Sequence, residues 1–232
     1  MMNLLKAEFY KLFHSRSFWG MLLFSFSLSS LLLLDSNNRT SNLLFASLYN
    51  MPLLYFLTII FGAVFIGNDF GERTLHCYIS AGYRRGSILF IKVLTYQIAC
   101  VVILTLPLVV HGLIGMFLQK EIPVSMEKGF IIGMTILVSI LAMCMLPLFF
   151  SFIFRDVGKS LVVPMVLFFL AIFLLNADHT QQISILLPMG QLRLISLQQL
   201  PKPAVTIVAI DVLWLFILYI GAYFAFYRSD LK

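Results

Sequence analysis

The sequence predicts an all-α integral membrane fold with six transmembrane helices, and three observations carry that prediction. Hydrophobic residues make up 61% of the 232-residue chain, charged residues only 11%, and mean hydropathy is +0.99. A soluble domain carries roughly 25% charged residues, and so few polar side chains could not cover a water-facing surface of this size. The apolar residues fall into six runs, each at least as long as the roughly 17 residues at the short end of what crosses the hydrocarbon core as a helix. Short groups of Lys and Arg separate those runs and are biased to one side, as topology signals are.

The runs lie at 18–34, 48–67, 87–117, 130–154, 160–176 and 205–227. Lys6, Lys11 and Arg16 precede the first, as they would in a secretory signal. Its far end, Leu31-Leu32-Leu33-Leu34-Asp35-Ser36, lacks a small-residue cleavage pattern, so it reads as an uncleaved anchor. The third run exceeds one crossing and must tilt, kink near Pro107 or project beyond the bilayer. Ahead of the first span, Leu5, Phe9, Leu12 and Phe13 recur at helical spacing while Lys6, Lys11 and His14 lie away from them. That pattern predicts an amphipathic interfacial helix over 2–14; the alternative is a plain extension of the first span. Residues 177–204 are too polar to cross, with Gln181, Gln182, Gln191, Gln198 and Gln199, yet too rich in Leu and Ile for a free loop. Pro188 and Gly190 interrupt them, which predicts two short helices re-entering the outer leaflet. There is no internal repeat and no low-complexity tract.

With the N-terminus inside, the inner cations are Lys6, Lys11, Arg16, Arg73, Arg84, Arg85, Lys92, Arg155, Lys159, Arg228 and Lys232. The outer ones are Arg39, Lys120, Lys128, Arg193 and Lys202, eleven against five, so both termini are expected in the cytoplasm. A net charge of +6 and a pI near 9.3 would suit a nucleic-acid binder. Such proteins gather their cations on one exposed face, and these are instead scattered between spans, which excludes that class. Cys77 falls in a predicted inner loop and Cys100 and Cys144 in apolar runs, an odd set that argues against a disulfide framework.

Most candidate chemistry fails on spacing. Gly158-Lys159-Ser160 resembles the end of a phosphate-binding loop, but Ile153 stands where the motif requires its first glycine. No nucleotide site is expected. His14, His76, His111 and His179 fall at different membrane levels, and no pair has the spacing of a metal site. Two polar residues lie at depth: His111, read as a hydrogen-bonded helix contact, and Asp211, about two turns into the last span. Intramembrane carboxylates mark ion or proton pathways, but a single one suits a contact with the outer segment better. Asn38-Arg39-Thr40 matches a glycosylation pattern to which no role is assigned, and Gly129 with Gly133 offers a close-packing helix face.

The informative stretch is 66–92. Asp69 and Glu72 precede a helix-length segment with Leu75, Tyr78 and Ile79 on one face, Gly82 can end it, and Arg84 and Arg85 anchor the next span. A short, partly apolar helix across the inner mouth of two spans suits a groove on a soluble partner; an ordinary connecting loop is the alternative. The order Asp69 or Glu72, Phe70, Thr74-Leu75, Gly82, Arg84 or Arg85, then Lys92, resembles the ABC-2 type permeases of ABC transporters. The start, Leu4-Leu5-Lys6-Ala7-Glu8-Phe9-Tyr10-Lys11-Leu12 followed by Arg16-Ser17-Phe18-Trp19, is similar to that family's elbow helix. Arg73 departs from the pattern, since many relatives carry glycine before Thr-Leu.

The resemblance implies that 69–82 is a coupling helix, with Asp69, Phe70, Glu72, Arg73, Thr74, Leu75, Tyr78, Ile79 and Gly82 docking on a cytoplasmic ATPase. Lys6, Lys11, Arg16, Arg84, Arg85 and Lys92 would anchor the chain at the head groups. It implies two ATPase copies that bind the ATP and Mg, a second permease chain (the same or related), and no catalysis or cofactor in this chain. The setting would be a bacterial plasma membrane. The 23 phenylalanines and 11 methionines suit an adaptable apolar lining, and small relatives export or give immunity to antimicrobial peptides. An amphipathic or antimicrobial peptide, or a lipid-like molecule, is therefore the expected substrate. Two rival readings are an ion-coupled secondary carrier, which would work without an ATPase, and a non-transporting sensor or immunity protein, which would bind without moving substrate.

Overall fold

The computed structural model describes residues 1–36, 42–119, 126–176, 181–199 and 204–228, and every regular element among them is an α-helix. In chain order these are α1 (Met2–His14), α2 (Arg16–Ser36), α3 (Leu43–Gly71), α4 (Thr74–Ser80), α5 (Arg85–Gln119), α6 (Met126–Phe154), α7 (Val157–Asn176), α8 (Gln181–Leu186), α9 (Pro188–Ser196) and α10 (Ala204–Tyr227). Six of them, α2, α3, α5, α6, α7 and α10, are long and apolar enough to cross a membrane, which makes this a multi-pass membrane protein. Helices are the solution the bilayer imposes, because each satisfies its own backbone where water cannot. Asn38-Arg39-Thr40, His179 and the cations Arg39, Lys120, Lys202 and Lys232 lie outside the described residues, as does the side chain of Lys128.

Each predicted span corresponds to one long helix, and the boundaries move outward. The largest shift is in α3, which begins at Leu43 and runs to Gly71. At 29 residues it extends roughly 43 Å, well beyond a ~30 Å hydrocarbon core. Asp69 and Phe70 are therefore the last turn of α3, and the separate short helix is only Thr74–Ser80. Pro52, Pro107, Pro147 and Pro164 all sit inside helices, and α5 continues through Pro107 to Gln119.

α3 is the axis of the bundle, packing on α2, α5, α6, α7 and α9. In its apolar stretch 78% of residues are buried within the chain, against 17% in each of α2, α7 and α10. Side chains that reach across to carbonyls of neighbouring helices tie the centre together. Ser25 donates to Ile103 O (2.8 Å), Tyr55 to Met143 O (2.9 Å) and Tyr96 to Thr58 O (2.8 Å). Gly62 admits Tyr96 so closely that a Cβ there would stand 2.9 Å from its hydroxyl oxygen. Among the described residues a Cβ at Gly129 or Gly133 would meet nothing within 4 Å, so neither glycine is used there for close helix packing.

The helices alternate in direction, which places the start of α2, α5 and α7 and the end of α3, α6 and α10 together. α1 and α4 lie at this end, and Arg85 donates to Tyr227 O (2.6 Å) while Arg155 donates to Ala225 O (3.2 Å), closing the last turn of α10 with cations. At the opposite end, residues 177–204 contain the two short helices α8 and α9, separated at Leu187. Arg193 ties α9 to the end of α7 through Leu175 O (3.0 Å) and Asn176 Oδ1 (2.8 Å).

Candidate functional site: a buried charge cluster at the α1 end

Four helices converge on a group of charges that the bundle encloses almost completely. α1 contributes Glu8 and Lys11, the last turn of α3 contributes Asp69, α4 contributes Tyr78, and α5 contributes Lys92 two turns from its start. Glu8 and Asp69 are 0% exposed and Lys92 is 1% exposed, while the Lys11 side chain keeps 36%. Lys92 Nζ donates to Glu8 Oε2 at 2.6 Å and also to Asp69 Oδ2. Lys11 Nζ donates to Asp69 Oδ1, and the Tyr78 hydroxyl donates to Glu8 Oε1 at 2.9 Å. All four carboxylate oxygens are thus hydrogen-bonded, and two ammonium groups balance two carboxylates. Phe65 supplies a ring face to both cations, 5.1 Å from Lys11 and 5.4 Å from Lys92.

Removing such charges from water is costly, and only complete pairing with good hydrogen bonds offsets the cost. Burial, and then the adjacent Glu8 carboxylate, pushes the Tyr78 phenol well above its ordinary range, so it stays protonated and keeps donating. The local sequence explains how each group arrives. Leu4, Glu8 and Leu12 are spaced four apart and form the buried row of α1, which places a carboxylate in the middle of an apolar face. α4 is turned inward by a left-handed residue at its start, Arg73 (φ +57), and closed by Gly82 (φ +87). Gly82 N–H donates to Ile79 O and Tyr83 N–H to Tyr78 O, a Schellman cap in which Gly82 holds the position that favours glycine. Arg73 occupies the same kind of backbone well, one in which glycine is strained less than a residue with a Cβ.

No family model matches the chain. No curated protein matches it either.

The structure distributes the predicted residues unevenly. Of the docking set, Asp69 and Leu75 are buried, and Phe70 packs edge-on against Phe152 (5.7 Å) and Phe226 (6.4 Å). Thr74, Tyr78 and Ile79 are half-buried. Glu72, Arg73 and Gly82, with Cys77 and Ser80, are exposed. The ridge of Leu75 and Tyr78 faces the bundle, so the outward surface of α4 is its polar side. Of the anchoring set, Lys6, Arg16 and Arg84 are exposed, whereas Lys11 and Lys92 point into the cluster and Arg85 caps α10. The face of α1 rotates accordingly: Leu4 joins it, Phe13 is 55% exposed, and Lys11 turns inward toward Asp69.

Glu8 is the member that the residue patterns did not single out. Its signal was present, a carboxylate at the centre of a four-residue apolar spacing together with Lys92 inside an apolar run. The two polar residues at depth stay apart from the cluster and from each other. His111 lies 3.3 Å from Ser47 Oγ and 3.2 Å from Ser30 Oγ, joining α5 to α3 and α2. Asp211 Oδ2 lies 2.5 Å from Ser139 Oγ, beside Gln191 of α9. Gly158-Lys159-Ser160 forms the first turn of α7, where Asp156 Oδ1 already accepts from Lys159 N–H (2.9 Å).

Proposed function

We propose that this chain is the membrane-spanning permease subunit of an ATP-driven ABC exporter, with α1 as elbow helix and α4 as coupling helix. One observation supports this reading most. The inner side of α4 is tied through Tyr78 to Glu8, and thence to Lys92 and Asp69, while Glu72, Arg73, Cys77 and Ser80 remain exposed. A push on the outer side of α4 passes into α1, α3 and α5 through one fully bonded network. Such a joint suits rigid-body switching of spans by a separate motor, and that motor's affinity for one arrangement supplies the energy.

In this reading the α1 end is cytoplasmic, both termini are inside, and the membrane is a bacterial plasma membrane. Two ATPase copies bind the ATP and Mg, and a second permease chain, identical or related, completes the pathway. The substrate is an amphipathic or antimicrobial peptide, or a lipid-like molecule. A mostly apolar cavity of about 290 Å³ between α7 and α10, walled by Leu146, Leu167, Phe168, Trp214 and Leu218, favours a cargo with a long apolar part.

A photo-activated cross-linker placed at position 77 in intact cells tests the reading. Capture of an ATP-hydrolysing subunit there, and not from a probe at Leu186 near the opposite end, is the expected result. No ATPase captured at 77, or labelling of Cys77 by an impermeant reagent from outside, defeats it. Arg73→Glu with Cys77→Glu should reduce ATPase co-purification while leaving thermal stability unchanged.

A further inference from the structure

Asp211 is 0% exposed, and among the described residues no cation reaches it. Among the described residues its Oδ1 has no hydrogen-bond partner, and its Oδ2 lies 2.5 Å from Ser139 Oγ on α6. Ser139 Oγ is also 3.2 Å from Gln191 Oε1 on α9, and Gln191 Nε2 donates to Ile185 O on α8 at 2.8 Å. The bond to Ile185 fixes which end of the Gln191 amide faces Ser139, so Oε1 is the acceptor there. Two acceptor oxygens, Asp211 Oδ2 and Gln191 Oε1, then compete for one hydroxyl hydrogen. One more proton removes the conflict.

We infer that Asp211 is a proton-binding site within the membrane span, and that its bound proton completes a directional relay from Asp211 to Ser139, to Gln191, to the Ile185 carbonyl. The Oδ2–H donates to Ser139 Oγ, Ser139 donates to Gln191 Oε1, and Gln191 donates to Ile185 O. The relay fastens α9 and α8 to α6 and α10. A neutral carboxylic acid both donates and accepts, whereas an ionised carboxylate buried without a counter-ion is among the costliest groups in a span. A separation of 2.5 Å between oxygens falls within the hydrogen-bonding range of an O–H···O pair and leaves no room for a metal cation between them.

The charged and titratable side chains described on the surrounding elements are engaged elsewhere. Arg193 of α9 binds the end of α7, Cys144 of α6 lies against Thr58, and Arg155 of α6 caps α10. His111 of α5 contacts Ser30 and Ser47, and Lys92 of α5 belongs to the cluster at the other end. None of them neutralises Asp211.

Infrared spectra of the purified full chain in lipid nanodiscs at neutral pH test the inference. The wild type should show a protonated-carboxyl C=O band that Asp211→Asn abolishes, with the variant's amide still able to donate to Ser139 and its thermal midpoint matching the wild type. Ser139→Ala, which removes the acceptor of that proton, should shift the same band and decides the question should Asp211→Asn fail to fold. Spectra indistinguishable between wild type and both variants, or a band that emerges only when sodium is withdrawn, overturn the assignment.

Discussion

Both ends of this bundle bury carboxylates, and they stabilise them by different means. At the α1 end, Glu8 and Asp69 share Lys92, Lys11 and Tyr78, and every carboxylate oxygen accepts a hydrogen bond. At the α9 end, Asp211 has one hydroxyl and an unpartnered oxygen. The difference follows from what each end can supply. Near the membrane edge a lysine can bury its stem and still find an acid, and α1 lies across the mouth to provide one. Two turns into α10 no cation among the described residues is within reach, and neutral polar groups serve instead. The teaching is that a buried acid is an ionic joint or a hydrogen-bonded latch depending on its neighbours, not on its depth alone.

Lys92→Met breaks the first arrangement most severely, because it leaves Glu8 and Asp69 buried with only Lys11 between them. A loss of about 3–5 kcal/mol is expected, read as a lower unfolding midpoint in detergent. Adding Glu8→Gln should restore most of it, and a single variant as stable as wild type would show that the pairing contributes little. Tyr78→Phe removes one hydrogen bond to a charged acceptor and should cost about 1.5–3 kcal/mol by the same measurement.

On the α9 side, a Cβ at Gly190 would lie 2.5 Å from the Ser184 carbonyl oxygen, an approach that backbone cannot relieve by side-chain rotation. Gly190→Ala should therefore cost about 1–3 kcal/mol and increase protease cleavage near Leu187. The smallest effect belongs to Lys11→Met. With 36% of its side chain exposed, Lys11 is screened by solvent, and its loss should stay within about 1 kcal/mol and shrink further at high salt. An effect as large as that of Lys92→Met would erase the distinction between the core and the rim of the cluster.

Periodicity and charge made much of this legible. Apolar run length located all six long helices, and the polar-but-leucine-rich stretch at 177–204 does contain two short helices split near Pro188. The same patterns misjudged direction. An apolar face on a short loop helix looks unpartnered in one dimension, so Leu75 and Tyr78 read as an outward ridge until α1, α3 and α5 are seen packed around α4. A lysine beside a span normally snorkels, so spacing alone assigns Lys11 and Lys92 to the head groups.

By itself, then, the sequence determined the solvent, the six helices long and apolar enough to cross it and the segregation of most described cations to one end, since these depend on hydropathy and charge summed over local stretches. Tertiary structure decided which acid meets which base, which side of α4 faces out, and that Glu8, Asp69 and Lys92 form one buried joint. Those pairings span 23 to 84 residues of chain, and no local spacing encodes a contact that exists only once separate helices have packed together.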